Sequence, residues 1–169
     1  MQKVLDHPRL VPLLILLAGL GVLGAAYSSE IWGGLKPCNL CYYQRYVYGT
    51  AAALGLVGLL VGGRPGLRRL VVGLAGLTFL TGTAIAVFHV GVEQHWWRGT
   101  AGCHAPELDM SLPIDQLREA MLATDFVPCD EIRWSLFGLS LAGYNVLLTL
   151  ALGLATLWAA NRMTKGQPA

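Results

Sequence analysis

Four cysteines are the residues of this chain best suited to redox chemistry, and they form two unlike pairs. Cys38 and Cys41 make a C-x-x-C, a close spacing typical of thiol–disulfide exchange sites. Cys103 and Cys129 stand much farther apart along the chain. An even number of cysteines favours disulfide chemistry in an oxidising compartment, although four cysteines allow three different pairings.

Cys41 has two features that favour its charged form. It stands at the predicted start of a helix, where the positive end of the backbone dipole stabilises a thiolate. Arg45 follows four residues later, and this spacing places both side chains on one face of a helix. We therefore expect Cys41 to be the more reactive thiolate of the close pair.

Two further polar residues stand within otherwise apolar segments. Arg45 lies about one turn into its segment, where a charge without a partner is costly. It either reaches the lipid headgroups or balances an anion, such as a thiolate or a reduced quinone oxygen. His89 lies near the end of a later segment and is either a packed, hydrogen-bonded residue or a donor to a quinone carbonyl.

Zinc binding is the main alternative to redox chemistry. The four thiols together with His95 and His104 contain enough ligands for a tetrahedral site. However, only the first cysteine pair has the close spacing of a zinc finger. The sequence therefore favours disulfides, and we predict no resident metal.

The composition indicates a membrane protein. The chain of 169 residues is 54% hydrophobic and only 13% charged, whereas soluble domains carry about 25% charged residues. Each of four apolar segments holds roughly 20 residues, enough for a helix to cross the hydrocarbon core. The predicted fold is an all-α bundle of four transmembrane helices in one domain, residues 1–169. The predicted spans are Leu10–Ser29, Tyr42–Gly62, Leu70–Val90 and Leu136–Ala160.

Small residues and a short connector predict how two of these helices pack. The connector 63–69 contains Pro65 between glycines, so the second and third helices should be antiparallel neighbours. Small residues four apart, Ala51 with Gly55 and Gly58 with Gly62, permit close approach between helices.

Charge predicts the orientation, because cytoplasmic loops are rich in Lys and Arg. The N-terminal tail, the connector 63–69 and the C-terminal tail are basic, and Asp6 is their one acidic residue. The other two loops, 30–41 and 91–135, hold all the remaining acids. This asymmetry predicts cytoplasmic termini and places all four cysteines in or at the rim of the outer loops.

The second outer loop also contains an apolar stripe. Ser111 can cap a helix and Pro113 is tolerated in its first turn. Ile114, Leu117 and Met121 then fall on one face. This pattern predicts a short amphipathic helix, which lies on the membrane surface or packs on the bundle.

Several motifs of the chain resemble the disulfide bond formation protein B (DsbB) family, the quinone-linked disulfide oxidases of bacterial envelopes. Lys36-Pro37-Cys38-Asn39-Leu40-Cys41-Tyr42-Tyr43-Gln44-Arg45 resembles the family's K-P-C-x-L-C-x-x-x-R core. Cys103 and Cys129 have the family's loop placement, and Asp130-Glu131 and Trp134-x-x-x-Gly138-Leu139 follow them as the family tends to show. The resemblance covers nearly the whole chain.

This resemblance implies a multi-pass inner-membrane enzyme that reoxidises a periplasmic, DsbA-like thioredoxin-fold oxidase. Cys103 would accept attack from the partner's thiolate, and the released Cys129 would engage Cys38. Cys41 would then face ubiquinone or menaquinone as a thiolate, with Arg45 stabilising its charge. A quinone-proximal histidine of the family would correspond to His89.

Residues 91–98 depart from the best-known form of the family and resemble a variant branch, which leaves the identity of the partner oxidase open. A reductase similar to the vitamin K epoxide reductase group is an alternative, although its C-x-x-C usually lies on a late helix. A structural or zinc-binding membrane protein with static cysteines is another.

Overall fold

The computed structural model describes residues 9–61, 63–103, 113–115, 118 and 127–163. Its described residues form four long helices, a single 3-10 turn at Ala101–Cys103 and a two-stranded hairpin. The helices are α1 (Leu10–Ile31), α2 (Asn39–Leu60), α3 (Pro65–Glu93) and α4 (Leu141–Arg162), and the strands are β1 (Ser135–Leu136) and β2 (Leu139–Ser140).

Helix α2 begins at Asn39, earlier than the predicted Tyr42, because a cysteine caps it. Cys38 has an extended backbone conformation, and its Sγ accepts a hydrogen bond from the main-chain N–H of Cys41 at 3.3 Å. A cap that accepts from the third helical residue satisfies one of the free N–H groups at the helix start. The cap therefore holds both sulfurs at the same end of the helix.

The starts of two other helices also differ from the apolar spans in the sequence. Helix α3 begins at Pro65 rather than Leu70, because proline is well suited to a first helical turn and the helix extends past its apolar portion. Helix α4 begins at Leu141 rather than Leu136. Phe137 and Gly138 both have positive φ and form the tight turn between β1 and β2.

The helices pack in chain order, α1 on α2, α2 on α3 and α3 on α4. Gly82, late in α3, lies against Val47 near the start of α2, whereas Gly58 near the end of α2 lies against Val71. These contacts confirm the antiparallel packing of α2 and α3. Buried side chains of all four helices form one core, which comprises Val11, Ile15, Val47, Tyr48, Ala51, Val72, Ala75, Phe79, Ala159 and Ala160.

Three of these helices, α1, α3 and α4, are long and apolar enough to cross a membrane. Helix α2 equals α1 in length, but Gln44, Arg45 and several tyrosines make it more polar, so its crossing stays a prediction. Most of the predicted amphipathic helix, 111–122, lies outside the described residues.

Candidate functional site: a cluster of four cysteines

All four cysteines lie in one cluster at the end of the bundle where α2 begins and α3 ends. Cys38, Cys103 and Cys129 are buried together with Leu40 and Val92, and Cys41 packs against them. The capped start of α2 supplies the first pair. The 3-10 turn after α3 and the segment before β1 supply the second pair.

The close pair is reduced and electrically asymmetric. Cys38 Sγ and Cys41 Sγ are 2.8 Å apart. Both residues precede the predicted span 42–62. The hydrogen bond that the Cys38 thiol donates lowers the pKa of Cys41, and the Arg45 charge adds a smaller effect against the opposing effect of burial. The same hydrogen bond, together with burial, raises the pKa of Cys38 far above its ordinary value. Cys41 is therefore the sulfur that ionises more readily, and Cys38 the one that keeps its proton to higher pH.

Arg45 is fixed by contacts to α1. Its Nη1 donates to Glu30 Oε2 at 2.6 Å and its Nη2 donates to the Ala26 carbonyl at 3.3 Å. The guanidinium lies over the rings of Tyr27 and Tyr42, with its central carbon 4.7 and 5.5 Å from the ring centroids. Arg45 thus has a carboxylate partner and two aromatic neighbours while its charge still acts on Cys41.

His89 connects the first cysteine pair to the interior of the bundle. Its Nε2 is 3.5 Å from Cys38 Sγ, and its Nδ1 is 2.9 Å from Gln44 Nε2. Gln44 Oε1 accepts from Asn145 Nδ2 at 2.6 Å, and Asn145 Oδ1 accepts from the Tyr48 hydroxyl. His89 also forms a hydrogen bond to the main chain at Cys129. Its side chain is therefore next to both cysteine pairs.

A buried carboxylate borders this histidine. Glu93 Oε1 lies 4.0 Å from His89 Nε2. Its Oε2 accepts a hydrogen bond from the Ser140 hydroxyl, which in turn accepts from the Gly143 N–H at the start of α4. Glu93 thus links the end of α3 to the cap of α4.

The second pair forms a disulfide between Cys103 and Cys129. The role that the family resemblance implies for Cys103, attack by a partner's thiolate, requires access to its sulfur. In the structure its side chain is only 3% exposed, because Val92 and Asn39 pack around this turn. A cleft of about 300 Å³, lined by Trp96, Trp97 and Arg98 among others, opens beside it.

The histidines proposed for zinc have different surroundings. Cys38 Sγ, Cys41 Sγ and a ring nitrogen of His89 lie within 4.8 Å of one another, so these three residues have the geometry to hold a metal ion. His95 lines the cleft beside Cys103. His104 lies outside the described residues. The zinc set considered from the sequence therefore differs from the one that the structure brings together.

Four polar residues beside the cysteines were missed in the sequence: Glu30, Gln44, Glu93 and Asn145. Each is a polar residue in or at the end of an apolar helix, and such residues are rare unless they have a partner. That signal marks them individually, but only the packing of α2, α3 and α4 shows which of them meet.

The fold and the site define a class of protein: a multi-pass helical membrane protein with a dithiol and a disulfide in one cluster. A family model described as "Disulfide bond formation protein DsbB" matches residues 8–159. Relatives include disulfide bond formation protein B of Alkalilimnicola ehrlichii, 32% identical over 89% of each chain. Disulfide bond formation protein B 2 of Pseudomonas entomophila is 32% identical over 81% of each chain. No solved structure matches. The chain belongs to the DsbB family, whose members are disulfide oxidoreductases.

Proposed function

We propose that this protein is an inner-membrane enzyme that oxidises a periplasmic thioredoxin-fold dithiol protein and passes the electrons to a membrane quinone. The observation that carries the proposal is the asymmetric close pair, in which Cys41 is the more acidic sulfur and lies 2.8 Å from Cys38 Sγ, next to a second, oxidised pair. In the net reaction, the partner's dithiol becomes a disulfide and the quinone takes two electrons and two protons.

The first step uses the second pair. The partner's thiolate attacks Cys103 Sγ, the bond to Cys129 breaks, and Cys129 leaves as a thiolate. The cleft that Trp96, Trp97 and Arg98 line is the approach that the described residues offer to Cys103. Its lining combines two tryptophans with one cation, Arg98, and one carboxylate, Asp130, which suits a partner segment with apolar and polar groups.

The next step transfers the disulfide between the pairs. The close pair enters this step as a disulfide, two electrons more oxidised than the dithiol in the structure. The Cys129 thiolate forms a bond to Cys38 Sγ, the Cys38–Cys41 bond breaks, and the electron pair leaves on Cys41. Cys38 then has no proton to donate, but the charge of Arg45 still lowers the pKa of Cys41 and makes it the better leaving group, because a more acidic thiol leaves faster. This assignment agrees with the roles that the family resemblance implies.

The partner's second thiolate then attacks the partner sulfur bonded to Cys103, so the partner leaves as a disulfide and Cys103 leaves as a thiolate. The Cys103 thiolate attacks Cys129 Sγ, which re-forms the Cys103–Cys129 disulfide and releases Cys38, so the close pair is again a dithiol as in the structure.

This reduced pair gives two electrons and two protons to the quinone and closes again as a disulfide. Three tyrosines are exposed on the first turns of α2, after Cys41, and offer aromatic surface to a ring at this end of the helix: Tyr42, Tyr43 and Tyr46. Arg45 provides a positive charge for a reduced quinone oxygen. Because His89 Nε2 lies 3.5 Å from Cys38 Sγ, we assign Cys38, rather than the quinone, as the group that His89 contacts. The residues therefore fit a ubiquinone- or menaquinone-type ring next to Cys41.

A quinone-coupled oxidation assay tests this proposal. A reduced, DsbA-like thioredoxin-fold protein is mixed with the purified enzyme and a soluble ubiquinone analogue, and both partner oxidation and quinone reduction are followed. We expect equal amounts of the two products from the wild type and none from Cys41→Ser or Cys103→Ser. Full turnover by Cys41→Ser would reject the proposal.

A static zinc site is the second candidate, because Cys38, Cys41 and His89 can meet at one metal ion. Thiol alkylation together with the zinc content of the purified protein distinguishes the two functions. In the oxidase, quinone converts the close pair to a disulfide, which then reacts with an alkylating reagent only after reduction and exchanges with a dithiol. Stoichiometric zinc in the purified protein, with thiols protected until a chelator is added, would favour the metal site.

A further inference from the structure

A chain of hydrogen bonds runs from the interior of the bundle to the sulfur of Cys38, and the electron route makes no use of it. The Tyr48 hydroxyl donates to Asn145 Oδ1, and Asn145 Nδ2 donates to Gln44 Oε1 at 2.6 Å. Gln44 Nε2 then lies 2.9 Å from His89 Nδ1. On the other side of the ring, Nε2 is 3.5 Å from Cys38 Sγ.

The donors in this series of hydrogen bonds all point the same way, from Tyr48 toward His89. A side-chain amide donates only from its nitrogen and accepts only at its oxygen, so each amide passes its orientation to the next. Because Asn145 donates to the oxygen of Gln44, the nitrogen of Gln44 faces His89. His89 Nδ1 must then accept, and the proton of the neutral ring lies on Nε2.

The surroundings preserve this direction. Tyr48, Gln44 and His89 are 3%, 9% and 4% exposed, so water does not compete for their polar groups. Reversing one amide would place two donors or two acceptors face to face in a buried site, which costs about as much as a lost hydrogen bond. Three helices contribute to the chain, so their packing keeps its members together.

We propose that Tyr48, Asn145 and Gln44 are positioning residues that hold His89 as its Nε2–H tautomer, aimed at Cys38 Sγ and the main chain at Cys129. This inference rests on the proposed function and assigns residues to its internal exchange step. His89 is the group through which these residues act.

In that step the Cys129 thiolate forms a bond to Cys38 Sγ while the electron pair of the Cys38–Cys41 bond leaves on Cys41. No proton is transferred. The hydrogen bond between His89 and the Cys129 main chain holds the attacking residue beside its target. The N–H group also turns its positive end toward the place where the Cys129 thiolate arrives beside Cys38 Sγ, so attack is favoured at Cys38 rather than Cys41. The opposite tautomer would turn a lone pair toward Cys38 and lose both effects.

The tautomer can be observed directly. The full-length protein is labelled with ¹⁵N-histidine in lipid nanodiscs, and His89→Gln identifies the His89 signals. We expect a protonated Nε2 and an unprotonated Nδ1 in the wild type. Asn145→Leu, which leaves Gln44 without its donor, should shift the ring toward the Nδ1–H form.

Thr149→Val is the matched control. Thr149 is buried on the same helix as Asn145 and accepts a hydrogen bond from Thr83 of α3 at 3.0 Å. Its hydroxyl donates to the main-chain carbonyl of Asn145 at 2.7 Å, but among the described contacts it forms no hydrogen bond with the side chains of Tyr48, Asn145, Gln44 or His89. This variant loses a polar contact between α3 and α4 and should leave the His89 signals unchanged. Tyr48→Phe provides a second test by removing the outermost donor, and should produce a smaller shift in the same direction.

The functional measurement separates two steps in a single turnover with a reduced partner. Asn145→Leu should form the mixed disulfide at Cys103 at the wild-type rate but reduce quinone about tenfold to a hundredfold more slowly, as expected when a buried polar group is left without its hydrogen-bond partner. Thr149→Val should match the wild type in both steps.

An Nδ1–H ring in the wild type would overturn the inference, and so would wild-type rates in both Asn145→Leu and Tyr48→Phe. If Asn145→Leu fails to fold, the wild-type spectrum still shows which nitrogen of His89 is protonated, and Tyr48→Phe still shows whether the hydrogen bonds set this tautomer. Failure of the proposed function looks different, because the wild type itself would then reduce no quinone.

Discussion

At the scale of single residues, the two sulfurs of the close pair are made unequal mainly by each other. The sequence predicted an acidic Cys41 from the helix dipole and from Arg45, and the direction of that prediction agrees with the structure. The largest cause, however, is the thiol of Cys38. A C-x-x-C spacing alone does not show which sulfur donates to the other, because that depends on how the cap folds.

Alkylation at different pH values tests this asymmetry. As the pH falls below 9, the ordinary pKa of a thiol, Cys41 should stay anionic and reactive until its own lower pKa is passed. Cys38, whose pKa is raised, should stay protonated and unreactive over the same range. Mass spectrometry of the modified peptides measures both rates.

Cys38→Ala should move the pH dependence of Cys41 alkylation upward, because the hydrogen-bond donor is removed. Protein unfolded in denaturant is the control, and there both cysteines should react with the pH dependence of ordinary thiols. Equal rates for both in the folded protein would contradict the asymmetry.

Arg45 gives a second prediction at this scale. Arg45→Ala should raise the quinone concentration for half-maximal rate about tenfold, as expected for the loss of a charged hydrogen-bonding group, with an unchanged requirement for the thiol partner. Steady-state kinetics with each substrate varied in turn provides the measurement.

Glu30→Gln is the control for Arg45, since it keeps a hydrogen-bond acceptor beside the guanidinium at 2.6 Å while removing the carboxylate charge. If the positive charge of Arg45 acts on the quinone, Glu30→Gln should have a much smaller effect. An equal effect of both variants would mean that Arg45 acts mainly by holding α1 against α2.

At the scale of helices, apolar length predicted most of the fold, and polar contacts set the details. The runs that became α1 and α3 were recognised because few charges interrupt them. The start of α4 was placed too early, since Leu136 and Leu139 are as apolar as the helix but belong to a hairpin. The contacts among Gln44, His89 and Asn145 were not predictable, because they depend on the rotation of three helices about their axes.

Small residues four apart on α2 were predicted to permit close helix packing, and Gly55 tests this where α2 packs on α1. A Cβ added to Gly55 would lie 2.7 Å from Leu16 N and 2.9 Å from the Pro12 carbonyl oxygen. Gly55→Ala should therefore cost about 1–3 kcal/mol of stability, as overpacking does. Gly49→Ala, on the same helix with no atom within 4 Å, should be neutral or slightly stabilising. Thermal unfolding in detergent compares the two, and equal stabilities would contradict the packing.

At the scale of the whole molecule, the proposed oxidation of a periplasmic partner requires the cysteine cluster to face the oxidising side of the membrane. Charge asymmetry predicts this orientation, and single cysteines in a variant without the native four can test it. Trp32→Cys, at an 84% exposed position next to α1, should react with an impermeant thiol reagent in spheroplasts. Arg64→Cys, exposed between α2 and α3, should react only after the membrane is opened. The reverse pattern would place the cluster in the cytoplasm.

In the proposed mechanism, an anionic Cys41 lies against a membrane quinone. The most direct measurement is the visible absorbance of purified Cys38→Ser protein titrated with ubiquinone. The serine hydroxyl of this variant keeps a hydrogen-bond donor beside Cys41 but cannot close the disulfide. We predict a charge-transfer band that saturates at one quinone per protein, disappears on acidification and is absent from Cys41→Ser. Alkylation shows separately whether Cys41 is anionic. If it is, and the spectrum equals the sum of the spectra of protein and free quinone, the proposed contact between the Cys41 thiolate and the quinone is wrong.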